Sequence, residues 1–369
     1  MFQFHTVSLT NQRKYFSVIV CIGIIMIIFQ CFTIENAKMN KKQNQQNKPT
    51  VHSILYFNPP SHISPETWSF SSCRISNCRA TTDRNQLKSS KAVIFYQFLM
   101  PDSPPPKTSG QKWIFASSES PVNTHNTSAL PGWYKTFDWV MTYRLDGDFY
   151  HGYGELMRRK VPSGRNYSAI YSLKKFDVSW IVSHCKTQSR REEYVKEMAK
   201  YIQVDIFGKC GDLFCGPKTG NENDSCHHLV SHHYKFYLSF ENSLCRDYTS
   251  EKFYFIYLYD TPIIPVVRGA TNGKSYLPQG TFIDTNDFES PKHLAEYLKR
   301  IGGNVSEYVG LLKRRDDFIS KSLNDIFQSA LCNLCERLHF DNLTSSPYDI
   351  KQWFFKDQCK SPTDLNFLN

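Results

Sequence analysis

The sequence lacks the short motifs that most often identify an enzyme class. It has no G-x-G-x-x-G fingerprint and no G-x-x-x-x-G-K-[ST] loop, which disfavours the ordinary dinucleotide-binding and P-loop classes. G-x-S-x-G and H-E-x-x-H are absent as well, which removes the simplest hydrolase and metalloprotease assignments. Cysteine, with 12 in 369 residues, is too sparse for a disulfide-dense miniprotein but generous for a cytosolic enzyme. Function therefore has to be sought in longer segments.

The composition is that of a folded protein of about two domains. Hydrophobic residues make up 40% and charged residues 21%, with 27 Phe and 21 Tyr, which excludes a disordered chain and a multi-span membrane protein. Half of the net charge of +10 lies in residues 1–52, which hold six Lys or Arg and one acidic residue. Because the remainder is only mildly basic, we expect no nucleic-acid partner, which would need a concentrated basic surface.

The amino terminus is predicted to be a membrane anchor. Residues 1–15 form a polar cytoplasmic tail, and residues 16–34 (FSVIVCIGIIMIIFQCFTI) run for 19 positions without a charge, close to the minimum that spans a bilayer. A cleaved signal peptide is the competing interpretation. Against it, the apolar run is long and no clean small-x-small cleavage site follows. Residues 35–52 contain little that can pack into a core and are predicted to form a flexible stem.

Two features place the part after the anchor in the secretory lumen. Ten of the 12 cysteines follow residue 34, an even number, as a disulfide-forming compartment favours. The same part carries five N-x-Ser/Thr sequons, which are candidate N-glycosylation sites. Together these features predict a single-pass type II membrane protein. The sequons are at Asn126, Asn166, Asn223, Asn304 and Asn342.

Beyond the stem, short apolar runs alternate with helical patterns such as Ser189–Ile202 and the helix that follows Ser290. Several runs are apolar almost throughout, which is typical of strands covered on both faces of a parallel sheet. The alternation predicts an α/β, doubly wound architecture. We expect two Rossmann-like domains facing a cleft, at 53–165 and 166–330, and a mostly helical tail at 331–369. The strand candidates are Val51–Phe57, Ala92–Leu99, Trp113–Ala116, Phe137–Tyr143, Trp180–Ser183, Val204–Phe207, Phe236–Phe240, Ile263–Val267 and Thr281–Asp284.

A dense polar segment follows the predicted strand KFYLSF at residues 235–240. Glu241, Asn242 and Ser243 lie at its carboxyl end, and a helix is predicted to begin near Ser250. Ligands of open α/β sheets bind at this edge, and a helix amino terminus favours phosphate. The spacing is explained equally well by helix capping, with Ser250 as the N-cap. From the residues alone, both interpretations stay open.

The same segment belongs to an ordered set of motifs that resembles the α-1,3-fucosyltransferases of glycosyltransferase family 10. FYLSFENSLCRDYTSEK (236–252) is followed by PVVRG (265–269) and FESPKHLAEYL (288–298). Upstream, FDWVMTYRLDGDFYHGYG (137–154) matches as well, so the resemblance extends over roughly residues 90–340. It implies a two-Rossmann, GT-B type fold, with GDP-fucose held by the second domain and the acceptor glycan by the first.

The resemblance also implies which residues bind the donor. Carried over by position, Arg191 and Lys252 meet the diphosphate, where a cationic pair would neutralise charge on the departing GDP. Five further residues match positions that line the nucleotide or the fucose, although Tyr237 and Tyr248 are also compatible with simple core aromatics. These five are Ser183, Tyr237, Asn242, Tyr248 and Glu251.

Glu119 is the candidate catalytic base on the acceptor side. It follows the apolar run KWIFA (112–116), and direct inverting displacement needs one base for the acceptor hydroxyl. Without the resemblance, Glu119 would be read as a solvated loop residue. The implied reaction transfers L-fucose from GDP-fucose, with inversion and in α-1,3 linkage, to GlcNAc of an N-glycan or another GlcNAc-containing acceptor in the Golgi. The alternative is a catalytically inactive, membrane-anchored glycan-binding protein on the same fold.

Two positions depart from the family pattern. His184 stands where Asn is common, which puts donor recognition there in question. Ser250 replaces a usual Thr but keeps the hydroxyl group.

We expect no metal site. Asp146-x-Asp148 resembles the DxD motif of metal-dependent galactosyl- or GlcNAc-transferases, a third possibility, but it lies in the acceptor-side domain. The histidines after Cys226 match no zinc spacing. No cofactor is expected for the core chemistry, although a divalent cation (Mn²⁺ or Mg²⁺) would stimulate by pairing with the diphosphate.

Cys332-x-x-Cys335 is predicted to form structural disulfides, because no second CxxC follows and an oxidising lumen favours such bonds. The resemblance implies that these two cysteines are tied to Cys73 and Cys78. The sequence does not pair the remaining six, which are Cys185, Cys210, Cys215, Cys226, Cys245 and Cys359.

Overall fold

The computed structural model of the chain forms two units, Met1–Val51 and His52–Asn369. In the first unit, the described residues between positions 26 and 36 are helical. Most of the predicted anchor at 16–34 lies outside the described residues, and no helix among those that are described is long and apolar enough to cross a membrane. The sequons at Asn126, Asn223 and Asn342 also lie outside them. The described residues are 26, 28–30, 32–36, 50–60, 63, 68–124, 131–216, 225–340 and 346–368.

The first half of the second unit contains a six-stranded parallel sheet. The first seven strands are β1 (His52–Tyr56), β2 (Cys78–Thr81), β3 (Ala92–Tyr96), β4 (Lys112–Ser117), β5 (Trp139–Thr142), β6 (Phe149–Tyr150) and β7 (Leu156–Arg158). The sheet has the order β2-β1-β3-β4-β5-β6, and β7 lies outside it. Every residue of β3 and β5 is buried, as expected for strands covered on both faces. The strand predicted over 92–99 is shorter, because residues 97–99 form a 3-10 turn.

The second half contains a five-stranded parallel sheet. The remaining strands are β8 (Phe176–Ile181), β9 (Val204–Phe207), β10 (Tyr234–Phe240), β11 (Ile264–Arg268), β12 (Ile283–Asp284) and β13 (Phe318–Ser320). The sheet has the order β12-β11-β10-β8-β9, while β13 pairs antiparallel with β7. The two parallel sheets confirm the predicted α/β class. The last of the predicted strands, over residues 281–284, is limited to the two residues of β12.

Seven helices accompany these strands in the part of the chain described from residue 52 onward. They are α1 (Tyr167–Leu173), α2 (Arg191–Met198), α3 (Ser225–His233), α4 (Glu251–Leu258), α5 (Pro291–Gly303), α6 (Val305–Asp316) and α7 (Leu323–Phe340). In α5, the Ser290 hydroxyl accepts a hydrogen bond from the His293 N–H at 3.3 Å, and Pro291 occupies the first turn, as the sequence predicts. The helix predicted from Ser189 begins two residues later, because Arg190 adopts a left-handed conformation.

Helix α7 follows the second sheet in sequence but packs on the first. Its buried residues, including Leu331 and Leu334, join the core formed with Ile54, Ile94 and Met141. Two disulfide bonds fix this arrangement by joining the four cysteines that the resemblance singled out. The pairs are Cys73–Cys332 and Cys78–Cys335.

The carboxyl-terminal segment connects the cores of both sheets. Phe354 is buried in the core of the first sheet, whereas Leu365 is buried in that of the second. Between them, Cys359 is bonded to Cys245 in the polar segment that follows β10. The remaining pairs, which the sequence did not give, are Cys185–Cys210 and Cys215–Cys226.

Candidate active site

The candidate site lies where two neighbouring strands of the second sheet end. Strands β8 and β10 pair in parallel, so the residues that follow them meet at one edge of the sheet. Ser183 and His184 follow β8, while Glu241 and Asn242 follow β10. A cavity of about 440 Å³ opens at this edge. Six of the eight predicted donor-site and catalytic residues line it: Ser183, Arg191, Tyr237, Asn242, Glu251 and Lys252.

Lys252 lies in the first turn of α4, and its ammonium group is held by three side chains. Its Nζ atom is 2.8 Å from Ser250 Oγ, 3.0 Å from Glu251 Oε1 and 3.3 Å from Glu241 Oε2. Burial opposes the charge on Lys252, but the carboxylates of Glu241 and Glu251 raise its pKa above the ordinary value. The site thus keeps a protonated amine beside a helix amino terminus, where the backbone also favours an anion.

Arg191 supplies the second cation, at the start of α2. Its side chain is only 3% exposed and donates hydrogen bonds to the carbonyl oxygens of Phe240, at 2.5 Å, and His184, at 3.2 Å. Its Nε atom has no hydrogen-bond partner among the described residues. Burial lowers the pKa of Arg191, and the nearby Glu241 opposes that shift. The contact at His184 uses the main chain, so it does not depend on whether the residue is His or Asn.

Glu119 follows β4 and lies against two tyrosines. Its Oε1 atom accepts hydrogen bonds from the Tyr248 hydroxyl at 3.0 Å and the Tyr153 hydroxyl at 3.4 Å. Its buried Oε2 atom has no partner among the described residues. Burial raises the pKa of Glu119, while the Tyr248 hydrogen bond and the charge of Lys252 act in the opposite direction. A buried carboxylate oxygen without a partner and with raised proton affinity is suited to accept a proton.

The two tyrosines for which the sequence left two interpretations are both buried, and both lie at the site as well as in the core. Tyr248 does not line the cavity, but its hydroxyl contacts Glu119, and its ring packs against Tyr153, which does line the cavity. Tyr237 lines the cavity directly and packs edge-on against Phe255, with ring centroids 5.2 Å apart.

Two residues at the site were not among the sequence candidates. Glu241 contacts Lys252, and Tyr153 contacts Glu119 and the cavity. Both stand within the quoted family motifs, but only the fold reveals their neighbours. A hydrogen bond of 2.7 Å between Ser243 and Ser120 also joins the two segments that carry Asn242 and Glu119.

The aspartates of the DxD-like triplet are engaged elsewhere. Asp146 accepts hydrogen bonds from Arg144 at 2.9 and 2.6 Å, and Asp148 accepts from the Val140 N–H at 2.9 Å and contacts Arg337. Neither aspartate lines the cavity.

The cysteine and histidine motifs show no zinc geometry in the described part of the chain. Cys226 is in a disulfide bond, and the rings of His228 and His232 stack at 4.0 Å. The one group of three potential ligands found among the described residues is Cys78, Cys335 and His339, in which the two sulfur atoms are bonded to each other.

Comparisons with known proteins identify the family of the chain. The family described as "Glycosyltransferase family 10 (fucosyltransferase) C-term" matches residues 171–353, and "Fucosyltransferase, N-terminal" matches residues 23–154. Alpha-(1,3)-fucosyltransferase C of Drosophila melanogaster is 32% identical over 317 residues, which cover 78% of this chain and 70% of the relative. Alpha-(1,3)-fucosyltransferase 7 of Rattus norvegicus is 30% identical over 83% of this chain and 80% of its own.

A crystal structure of an α1,3-fucosyltransferase with GDP-fucose shares the fold, with a TM-score of 0.53 and 15% identity over 80% of this chain and 93% of that chain. The identity to the two relatives extends over most of both sequences. The chain therefore belongs to glycosyltransferase family 10, the fucosyltransferases, as its motifs predicted.

Proposed function

We propose that the protein transfers L-fucose from GDP-fucose, with inversion and in α-1,3 linkage, to a GlcNAc residue of a glycan. The observation that carries this proposal is the division of charge at the site. A cationic pair, Arg191 and Lys252, lines the cavity, while Glu119 holds an unpartnered carboxylate oxygen beside the cavity residue Tyr153. The names of the relatives, which are α-1,3-fucosyltransferases, support the same transferred sugar and linkage.

In the proposed reaction, Glu119 acts as the base and the two cations assist the leaving group. Glu119 Oε2 takes the proton of the acceptor hydroxyl as that oxygen forms a bond to C1 of fucose. The bond from C1 to the phosphate oxygen breaks at the same time, and the electron pair departs with GDP. Lys252 and Arg191 neutralise the charge that grows on the diphosphate, a role that does not require a resident metal.

The remaining donor contacts are proposed for the side chains along the cavity wall. Ser183, Asn242 and Glu251 offer hydroxyl, amide and carboxylate groups to the sugar and the nucleotide, and Tyr237 offers an aromatic face. A divalent cation would act only through the diphosphate, because Asp146 and Asp148 are already engaged with arginines.

We further propose that the enzyme acts in the Golgi lumen as a single-pass type II membrane protein, with a glycoprotein glycan as acceptor. Support comes from the uncharged run at 16–34 and from the five disulfide bonds of the following unit. The sequons at Asn166 and Asn304 are exposed, and both side chains act as helix N-caps through the oxygen that a glycosylated Asn retains. Microscopy of the tagged full chain, with glycosidase digestion, tests this placement.

The decisive experiment replaces Glu119 with Gln, which keeps the shape of the side chain but removes the base. We expect fucose transfer to be abolished while GDP binding survives. Near-normal transfer by Glu119→Gln would refute the assignment. Glu289→Gln is the matched control, since the Glu289 side chain is 89% exposed and its ionic contact within the described part of the chain is with His293, outside the cavity. Fucose transfer to core N-glycan and to lactosamine-type acceptors would be measured for both variants, because the acceptor class also has to be determined.

Lys252→Ala tests the donor side of the same site. We expect a severe loss of GDP affinity in calorimetry, because Lys252 is the more accessible member of the cationic pair, with 22% of its side chain exposed against 3% of Arg191. Unchanged affinity would remove Lys252 from the site. If the wild-type protein binds glycans but releases no GDP from GDP-fucose with any acceptor, the glycan-binding alternative is favoured. Complete loss of transfer in EDTA would instead favour a metal-dependent transferase.

A further inference from the structure

Glu241 is a buried carboxylate behind the cavity wall, next to the Lys252 ammonium group, and the proposed chemistry gives it no role. It is 2% exposed and follows β10 directly. Its main chain is fixed at both ends, because its N–H donates to the Arg268 carbonyl at 2.8 Å and its carbonyl accepts from Ser189 Oγ at 2.7 Å. A β-carbon on Gly269 would lie 2.6 Å from Glu241 Cγ, so the glycine leaves the space that this side chain needs.

The Glu241 carboxylate holds the first turn of α4. Its Oε1 atom accepts from the Ser250 N–H at 2.8 Å, and both of its oxygens lie 2.8 Å from the Ser250 hydroxyl. Its Oε2 atom lies 3.3 Å from Lys252 Nζ. A single buried group therefore contacts both the N-cap of the helix and the cation that follows it.

Glu241 is also the better shielded of the two carboxylates that contact Lys252. The Glu251 side chain is 54% exposed, so water and salt screen its charge, whereas Glu241 is removed from water. A buried ammonium group without a carboxylate partner tends to lose its proton. The other charged groups that act on the Lys252 region are Arg191, which opposes its charge, and Glu119.

We propose that Glu241 is a positioning residue of the donor site, which keeps the Lys252 ammonium group charged and aimed into the cavity. This inference rests on the proposed function, because it assigns Lys252 to the diphosphate. Glu241 itself need not touch the donor, since it does not line the cavity. Glu241 and Glu251 both raise the pKa of Lys252, so removal of the Glu241 charge lowers it. The charged form, and the GDP affinity that depends on it, is then lost at a lower pH.

The test is Glu241→Gln, which keeps an acceptor for the Ser250 N–H but removes the charge. GDP affinity is measured by calorimetry at pH 7 and pH 9 on the full chain. At each pH, the dissociation constant of the variant is divided by that of the wild type, and the two ratios are compared. We expect this ratio to be larger at pH 9 than at pH 7, because loss of the Glu241 charge lowers the pKa of Lys252 and the charged fraction of an amine falls as the pH approaches and passes its pKa. Glu289→Gln is the control and should show a ratio of one at both pH values.

A second change separates a charge role from a structural one. Lys252→Arg in the Glu241→Gln background introduces a guanidinium group that stays protonated, so the pH dependence should disappear. A loss of GDP affinity that is equal at both pH values and is not rescued by Arg would overturn the proposal, as would unchanged affinity. If Glu241→Gln does not fold, Glu241→Asn with Lys252→Arg is compared with Glu241→Asn alone in the same way. If wild-type protein binds no GDP, the proposed function fails instead.

Discussion

The disulfide that joins Cys245 to Cys359 should contribute more to stability than the shorter loops elsewhere in the protein. It closes a separation of 114 residues, and it fixes the carboxyl-terminal segment beside the segment that carries Asn242 and Tyr248. By comparison, Cys215–Cys226 closes a separation of 11 residues. The two pairs are well matched in another respect, since each has one buried cysteine, Cys245 or Cys226.

The expected magnitudes follow from the entropy that each crosslink removes from the unfolded chain. For a separation of 114 residues the stabilisation is about 5 kcal/mol. For 11 residues it is about 3 kcal/mol, and for the 25 residues of Cys185–Cys210 about 3.5 kcal/mol. Loss of Cys245–Cys359 should therefore cost about 2 kcal/mol more than loss of Cys215–Cys226. Release of the tail from the buried site of Leu365 would increase this difference.

The assay replaces both cysteines of one pair with Ala at a time. The free energy of unfolding is measured by urea titration under non-reducing conditions, with tryptophan fluorescence as the probe. The expected order of destabilisation is Cys245–Cys359, then Cys185–Cys210, then Cys215–Cys226. Equal losses, or a larger loss for Cys215–Cys226, would refute the reasoning that loop length sets these contributions.

Three further predictions concern single side chains. Tyr248→Phe removes a hydrogen bond that lowers the pKa of Glu119. The acid limb of the pH profile of kcat/KM should therefore move to higher pH, and an unmoved limb would contradict the assignment of that limb to Glu119. Burial lowers the pKa of Lys174 to about 7, while the unfolded chain keeps that proton to higher pH. The free energy of unfolding of the wild type relative to Lys174→Met should therefore rise between pH 7 and 10, by up to about 1.4 kcal/mol per pH unit. Denaturant titrations measure this difference, and a difference that stays constant with pH would exclude a lowered pKa of Lys174. Asp364→Ala removes the two 2.8 Å hydrogen bonds from the buried Arg268 guanidinium to the Asp364 carboxylate, which should lower the free energy of unfolding by about 2–3 kcal/mol. Arg268→Met in the same background removes the unpaired charge and should recover part of that loss.

The sequence predicts the sheets well where local pattern decides them. Runs such as AVIFY in β3 and WVMT in β5 are buried on both faces, and such runs are diagnostic of parallel strands. β2 (CRAT) and β6 (FY) were missed, because four and two residues with mixed polarity carry too little pattern. The strand order was not predicted either, since it depends on which distant strands pair.

The hydrophobic pattern of the sequence did not predict how segments that are far apart in the chain pack together. Helix α7 looks like any amphipathic helix, and its apolar pattern does not show that it packs on the first sheet. Only Cys332 and Cys335 indicated this packing, through the disulfide partners that the family resemblance implies. Likewise, the tail was predicted only as mostly helical, and nothing in its pattern shows that residues 358–364 contact the Leu244–Arg246 region and Arg268.

The sequence predicted which residues would lie near one another at the candidate site, but not how they contact one another. The residues carried over from the family lie together, yet their spacing in the sequence did not reveal which carboxylate contacts which cation. Glu241 stands in the same motif as Asn242, but its role depends on Ser250, nine residues away. Tyr153 reaches Glu119 across 34 positions of the chain.

The distribution of carboxylates explains how a base and a cationic pair can share one site. Lys252 takes its ionic contacts from Glu241 and Glu251, so it acts on Glu119 only at a distance. If Lys252 formed a direct pair with Glu119 instead, the pair would stabilise the carboxylate, lower its pKa and weaken it as a base. Among the described residues, the Glu119 carboxylate accepts its hydrogen bonds from the hydroxyls of Tyr248 and Tyr153, and burial keeps its pKa raised. In the proposed reaction, the two extra carboxylates thus keep Lys252 for the diphosphate and leave Glu119 to act on the acceptor hydroxyl.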